Sequence, residues 1–178
     1  FESGSLKMCV RHATRAIELS TPGRTSDAAL AHLLLLRAGA FIDMRNGPEA
    51  TGDIDALQVI ADRLHDDGLL AESFRLRGAL SHSAGRMDDA RRELGQAVDL
   101  LRHAEQPDLL ARALRVRGFI EMFGGSLIDA EWFFGEADQL YHTLDDERGL
   151  AYIEQHRAWI AFLSGDLALA RQRLNHAA

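Results

Sequence analysis

A forty-residue periodicity is the feature that most constrains what this chain can fold into. The segment GRMDDARREL at Gly85–Leu94 is echoed forty residues later by GSLIDAEWFF at Gly125–Phe134, and after the same interval by GDLALARQRL at Gly165–Leu174. Four copies align without a gap, and one column holds alanine throughout: Ala50, Ala90, Ala130 and Ala170. Such a period indicates one supersecondary unit that recurs along the chain and packs on its neighbours.

Each copy has the pattern of two helices. In the third copy, apolar residues follow helical spacing over Asp108–Gly124, and Gly125 then marks a short turn. Ser126 is placed to cap a second helix that runs to about Thr143. Residues 6–19 have the pattern of a closing helix from a preceding copy.

The first copy departs from this pattern at the joint between its two helices. Gly47, Pro48 and Gly52 lie close together there, so we expect the second helix of that copy to begin late. Pro48 and Pro107 both stand where a helix should begin, because proline has no amide hydrogen to leave unbonded.

The remaining columns explain why the interval is kept. A small residue in each first helix lets two helices approach closely: Ala38, Gly78, Gly118 and Ala158. A large apolar residue in each second helix fills the gap between neighbouring hairpins: Ile54, Leu94, Phe134 and Leu174. A further apolar column follows it: Leu57, Ala97, Ala137 and Ala177. Glycine permits the left-handed turn that ends the first helix, at Gly85, Gly125 and Gly165.

This pattern of small residue, alanine, large residue and alanine resembles the tetratricopeptide repeat family. It is carried by Gly78, Ala90, Leu94 and Ala97, by Gly118, Ala130, Phe134 and Ala137, and by Ala158, Ala170, Leu174 and Ala177, with a weaker match at Ala38, Ala50, Ile54 and Leu57. The family's usual period is about 34 residues. Here the period is 40, and an arginine precedes the small residue where the family usually has leucine. The longer spacing is similar to the repeats of large bacterial signalling ATPases, including LuxR-type regulators.

The resemblance implies an all-α fold, a right-handed α-α superhelix, or solenoid, of about four helical hairpins. We expect one repeat domain over residues 1–178, with a partial repeat at 1–27 and repeats at about 28–67, 68–107, 108–147 and 148–178. The chain begins at Phe1 rather than methionine and ends within a helical pattern, which predicts a piece of a longer protein.

Composition narrows the class of partner and compartment. The chain has 178 residues, 47% of them hydrophobic, with a formal net charge of −7, so no overall field attracts it to nucleic acid or to an anionic membrane. No apolar run approaches the roughly 18 residues of a membrane span. One cysteine, Cys9, excludes an internal disulfide and fits a reducing cytoplasm.

Motifs that carry chemistry are missing from the sequence. There is no GxxxxGK[ST] phosphate loop, HExxH motif or pair of CxxC motifs, and the eight histidines have no ligand spacing. Paired carboxylates such as Asp66–Asp67 and Asp145–Asp146 fall in turns, where they suit helix caps. We therefore expect no enzyme activity, no metal site and no cofactor.

Arginine also occupies one column of the repeat, at Arg37, Arg77, Arg117 and Arg157. In stacked copies this column forms a ladder of positive charge. One interpretation is a contact strip for an acidic peptide, since guanidinium groups offer forked donors to carboxylates. The alternative is an internal ladder in which each arginine pairs with acidic residues of an adjacent helix.

First helices line the concave face, as the resemblance implies, and this face carries the candidate partner-binding residues. They combine aromatic, apolar and basic side chains: Arg75, His82, Arg112, Arg115, Phe119, Met122, Tyr152, Trp159 and Phe162. Such a groove suits an acidic or amphipathic peptide. The alternative is ordinary packing, together with a surface that a further repeat would cover. Trp132 and Phe133 lie on a second helix and are expected in the core or between repeats.

These observations predict a non-catalytic scaffold that binds a protein or peptide, acidic in character, or neighbouring domains of a parent regulator in signalling or transcription. Two alternatives remain open: a repeat domain that senses a small molecule, and a structural array that forms homodimers through its terminal helices.

Overall fold

The computed structural model describes residues 2–20 and 25–176. The described residues form nine helices: α1 (Glu2–Glu18), α2 (Asp27–Asp43), α3 (Gly47–Leu64), α4 (Asp67–Ser83), α5 (Met87–His103), α6 (Pro107–Gly124), α7 (Leu127–Thr143), α8 (Glu147–Leu163) and α9 (Leu167–His176). Within these ranges no strand occurs, and no helix is long and apolar enough to cross a membrane. The prediction of an all-α helical repeat is confirmed.

The helix starts follow the forty-residue period. The first helices of the four copies begin at Asp27, Asp67, Pro107 and Glu147, and the second helices at Gly47, Met87, Leu127 and Leu167. The expected late start of α3 is therefore wrong. Pro48 lies in the first turn of α3, where its missing amide hydrogen costs nothing, and the burial of Ala50 and Ile54 holds Gly52 in the helix between them.

The turn within each hairpin uses a left-handed residue. Gly85, Gly125 and Gly165 have φ angles of 76°, 100° and 84°, as the glycine column predicts. In the first copy the same place is taken by Arg45, with a φ of 58°. Glycine has no Cβ to crowd the backbone in this conformation, whereas arginine is strained there.

Side-chain caps fix where several helices begin. Ser126 accepts a hydrogen bond from the Asp129 amide at 3.3 Å, which confirms its predicted capping role. Asp66 caps the Leu69 amide at 3.0 Å and Asp146 caps the Gly149 amide at 2.9 Å. One carboxylate of each of these two turn pairs thus serves a helix N-terminus.

The described residues divide into two compact units, with the boundary between Leu100 and Leu101, inside α5. The prediction of one continuous repeat domain stays a prediction. In the first unit a core cluster joins α2, α3 and α4, built on buried residues that include Leu34, Ile54, Leu57 and Leu76.

Close helix approach in the first unit follows the predicted columns. A Cβ on Gly78 would lie 2.8 Å from Cγ of Leu94, so only glycine allows α4 and α5 to meet at this distance. In the second unit the buried residues of α6, α7 and α8 include Leu114, Ile120, Phe134 and Ile153. Most members of the predicted core columns are fully buried, Leu174 is not, and Ala177 lies outside the described residues.

Candidate partner-binding surfaces

The first two members of the arginine column bind groups of their own chain. The Arg37 guanidinium donates two hydrogen bonds to the buried Asp53 carboxylate, at 2.6 and 2.8 Å, and a third to Thr14 at 3.0 Å. The hydrogen bond to Asp53 raises the pKa of Arg37. Arg77 donates to Asp55 at 2.8 Å and to Gln58 at 2.9 Å, both on α3.

The last two members are also engaged within the chain. Arg117 pairs with the buried Glu121 one turn along α6 at 2.8 Å. Arg157 of α8 binds two carboxylates of α7, Glu131 at 2.8 Å and Asp138 at 3.3 Å. Burial acts to lower the pKa of Arg157, but these carboxylates more than offset it and leave that pKa raised. The contacts therefore favour the internal ladder.

Three predicted partner residues line one cavity of the second unit, which we call the arginine cavity. It has a volume of about 520 Å³ and lies among the N-terminal halves of α6 and α8 and the end of α7. Its lining consists of Asp108, Arg112, Arg115, Tyr141, Asp146, Arg148, Gly149 and Tyr152. The cavity thus brings together three guanidinium groups, two carboxylates and two phenol rings.

Arg115 is the most unusual member of this lining. Its Cζ atom lies 4.7 Å from the centroid of the Tyr152 ring, in a cation–π contact. Its Nε is buried and has no hydrogen-bond partner among the described residues. A buried donor without an acceptor is destabilising, because water has been removed and nothing replaces it.

The carboxylates of the cavity are partly committed elsewhere. Asp146 caps the first turn of α8 through its bond to the Gly149 amide. Tyr141 is held against the same glycine so closely that a Cβ there would overlap the ring. Gly149 therefore allows α7 and α8 to meet closely at this wall of the cavity.

Trp159 and Phe162 belong to a second, apolar surface, which we call the α8–α9 groove. Their rings meet edge to face at a centroid distance of 5.7 Å, and both side chains are exposed. The groove has a volume of about 160 Å³ and is lined by Ala158, Trp159, Phe162, Ala170 and Leu174. No guanidinium group lines it, so the arginine cavity and this groove are different chemical environments.

Two other predicted residues of α6 lie in or at the core. Phe119 packs against Phe123 at 4.9 Å and against His156 at 5.6 Å between ring centroids. Met122 is only 3% exposed, so its prediction as a partner contact is wrong. It lies one turn after Gly118, on the face of α6 that the close approach of α7 covers.

Arg75 and His82 lie in the first unit, on α4. The Arg75 guanidinium forms two hydrogen bonds of 2.8 Å with the buried carboxylate of Glu72. His82 is half-buried, and burial lowers its pKa. Arg75 is therefore held within the chain, and neither residue takes part in the two surfaces of the second unit.

Sequence reasoning missed His156, Tyr141 and Arg148. His156 is buried, and its Nδ1–H donates a hydrogen bond to the Tyr152 carbonyl oxygen. Burial first, and then the charge of Arg115, lowers the pKa of His156. The spacing could have indicated His156, because it lies four residues after Tyr152 on the same face of a helix and directly precedes Arg157 of the arginine column. Trp132, which was expected in the core or between repeats, is exposed.

Metal binding finds no support in the described part of the chain, where no three side chains of histidine, cysteine, aspartate or glutamate are grouped as an ion requires. The arginine cavity offers charge and hydrogen-bond donors, and the α8–α9 groove offers apolar contact.

One solved structure with a similar fold is that of BtubC (BKLC) from P. vanneervenii. The two folds agree with a TM-score of 0.72 at 21% sequence identity, over 98% of this chain and 70% of the BtubC chain. At this level of identity the likeness shows the fold alone. A scan against protein-family models gives no match, and neither does a comparison with curated protein sequences.

Proposed function

We propose that this chain is a non-catalytic helical-repeat scaffold that binds an acidic protein or peptide segment in the arginine cavity. The observation that carries the proposal is Arg115, whose buried Nε lacks an acceptor while its guanidinium lies against Tyr152 at the cavity wall. A carboxylate of a partner supplies the opposite charge and acceptors for the guanidinium.

The charge of the whole chain makes this site selective. Because the net charge is −7, an acidic segment is repelled by most of the molecule and gains affinity only where positive groups converge. Arg112, Arg115 and Arg148 converge in the arginine cavity. Such local complementarity favours correct encounter and orientation more than it favours raw affinity.

The biological setting we propose follows from the resemblance to tetratricopeptide repeats. In a large bacterial signalling or transcriptional regulator of the cytoplasm, this array would hold a partner or a neighbouring domain of its own chain. No cofactor is required for that role. If the domains of the regulator have two arrangements, a ligand that binds the array more tightly in one of them would shift the population toward that arrangement.

The test uses a fluorescein-labelled hexaglutamate peptide, with anisotropy as the readout at low salt. We expect binding that weakens as salt is added, and a loss of at least tenfold in affinity for Arg115→Gln. Arg63→Gln is the matched control, because Arg63 is an exposed arginine of the first unit and its loss changes the net charge equally. Equal losses in both variants, or no binding by the unsubstituted chain, would overturn the proposal.

A small-molecule sensor is the second candidate, and the size of the arginine cavity favours it. Ligand pockets commonly measure about 300–1,000 Å³, and this cavity measures about 520 Å³. Citrate is a suitable probe in thermal unfolding. If citrate raises the melting temperature of the unsubstituted chain but not of Arg115→Gln, while hexaglutamate fails to bind, the sensor replaces the scaffold.

A further inference from the structure

The α8–α9 groove lies outside the proposed acidic-peptide site and needs an explanation of its own. Exposed apolar side chains concentrate on these two helices: Trp159, Phe162, Leu163, Leu167, Leu169 and Leu174. Patches of this kind mark binding surfaces when they are contiguous. Here the side chains surround a defined groove rather than a flat surface.

The equivalent positions of the preceding copy indicate what kind of side chain fits the groove. One copy earlier, Phe119 and Phe134 occupy the positions of Trp159 and Leu174. They receive His156 of α8, with ring centroids 5.6 and 5.1 Å away. Phe134 is 0% exposed, whereas Leu174 is 49% exposed. A helix that packed on α8 and α9 as α8 packs on α6 and α7 would therefore place one side chain in the groove, between Trp159 and Leu174.

The contacting face of α8 gives the pattern that such a helix must have. Gly149 fits against Tyr141, Ile153 is fully buried, and His156 fills the seat. These positions are i, i+4 and i+7, an apolar stripe on one side of a helix. Arg157 follows at i+8 and pairs with Glu131 of α7.

Charge distinguishes a helix that would fit the groove from α8. The residue of α9 forty positions after Glu131 is Arg171, which is exposed, and α9 contains Arg171 and Arg173 but no aspartate or glutamate. A helix with arginine at i+8 would place like charges together at Arg171, whereas a carboxylate there would form an ion pair. Every first helix of this chain has arginine at that position, so a second copy presents the wrong charge.

We propose that the α8–α9 groove binds one amphipathic helix of a partner protein. Its apolar stripe lies at i, i+4 and i+7, its i+7 side chain sits between Trp159 and Leu174, and its carboxylate at i+8 pairs with Arg171. This is recognition of a helix in a groove, with the register set by the repeat itself.

Two labelled peptides test the proposal against the full chain by fluorescence anisotropy. One has the sequence of α8, Glu147–Leu163, and the other is the same peptide with Arg157→Glu. We expect the glutamate peptide to bind at least tenfold more tightly. The protein variant Arg171→Glu should reverse this preference, because position 171, which faces the i+8 residue of the peptide, then carries a negative charge.

Two further protein variants test whether the peptide binds in the α8–α9 groove. Phe162→Asp should abolish binding, whereas Ile128→Asp, at an exposed isoleucine of α7, should leave it unchanged, and circular dichroism should show both variants folded. Arg115→Gln should also leave it unchanged, which separates this test from that of the arginine cavity.

Three outcomes overturn the proposal. These are no binding of either peptide, a preference that survives Arg171→Glu, and binding that survives Phe162→Asp. Sedimentation distinguishes one rival: a dimer that dissociates in Phe162→Asp, with no peptide binding, would assign the groove to a second copy of this chain.

Discussion

The ring of Phe134 lies directly on Gly118, so close that a Cβ on Gly118 would be 2.6 Å from Cε1 of the ring. The same Cβ would lie 3.1 Å from the Ala130 carbonyl oxygen. Helix α6 therefore meets α7 at a distance that only glycine permits. This contact lies in the unit that carries both candidate surfaces, and it holds α6, which supplies Arg112 and Arg115 to the arginine cavity.

Gly118→Ala should destabilise the protein by about 1–3 kcal/mol, because the added methyl group forces the Phe134 ring or α7 to move. Gly135→Ala is the matched control in the neighbouring helix, since no atom lies within 4 Å of its Cβ position. That change should stabilise by about 0.5–1 kcal/mol through helix propensity. Urea unfolding followed by circular dichroism measures both, and equal stabilities would contradict the close contact.

Phe134→Ala should lower the free energy of unfolding by about 3–5 kcal/mol, the range for a buried phenylalanine. Leu174→Ala changes the same column of the repeat at a half-exposed position, so its effect should be about 1 kcal/mol or less. Thermal and urea unfolding give the comparison. A similar loss in both variants would mean that a helix covers Leu174 in solution.

Arg45→Gly should stabilise the chain by about 1 kcal/mol, because the residue has a φ of 58° and a non-glycine side chain is strained there. The reciprocal change Gly85→Arg, at the same place in the next copy, should destabilise by a similar amount. Both residues are exposed, so packing contributes little to either result. Opposite signs in urea unfolding are expected, and the same sign would contradict the assignment to backbone strain.

The fold could be predicted from sequence because its determinants recur. Four copies repeat the same small, alanine and large positions, and the glycine column marks the turns. A wrong helix boundary in one copy can therefore be recognised by comparing it with the other copies. The late start expected for α3 came from considering Gly47 and Gly52 locally, where the burial of Ala50 and Ile54 decides the outcome.

The candidate site was predicted less well because it depends on how helices meet. The sequence pattern predicts Arg115 and Tyr152 as site residues, but Arg148 joins them only because α8 packs beside α6. Met122 has the spacing of an exposed groove residue and also lies one turn from Gly118. The sequence alone does not decide whether its side chain faces the groove or packs against α7. Trp159 and Leu174 are large apolar residues like Phe119 and Phe134, and the difference in exposure between Leu174 and Phe134 does not follow from the residue types.

Arg37→Leu should destabilise by about 3–5 kcal/mol, because it leaves the buried Asp53 carboxylate without its partner. The double variant Arg37→Leu with Asp53→Leu should lose less than the single variant, since neither charge is then left unpaired. Arg63→Leu breaks the exposed pair with Asp27 and should cost about 1 kcal/mol or less. A double variant less stable than Arg37→Leu would show that the pair itself stabilises the fold.

Stability should fall below about pH 6.5 because of His156. Burial, followed by the charge of Arg115, lowers its pKa in the folded chain below the ordinary value of 6.5. As the pH falls through 6.5, the His156 imidazole binds a proton in the unfolded chain but stays neutral in the folded chain. The free energy of unfolding therefore decreases until the pH passes the folded pKa of His156. His156→Phe should flatten this dependence in urea unfolding between pH 7.5 and pH 5, while His32→Asn, at an exposed histidine of α2, should keep it. The half-buried His82, whose pKa burial also lowers, contributes a slope of the same sign that remains in both variants. An unchanged slope in His156→Phe would show that His156 titrates normally in the folded protein, and with it that its seat between Phe119 and Phe134 is open to water.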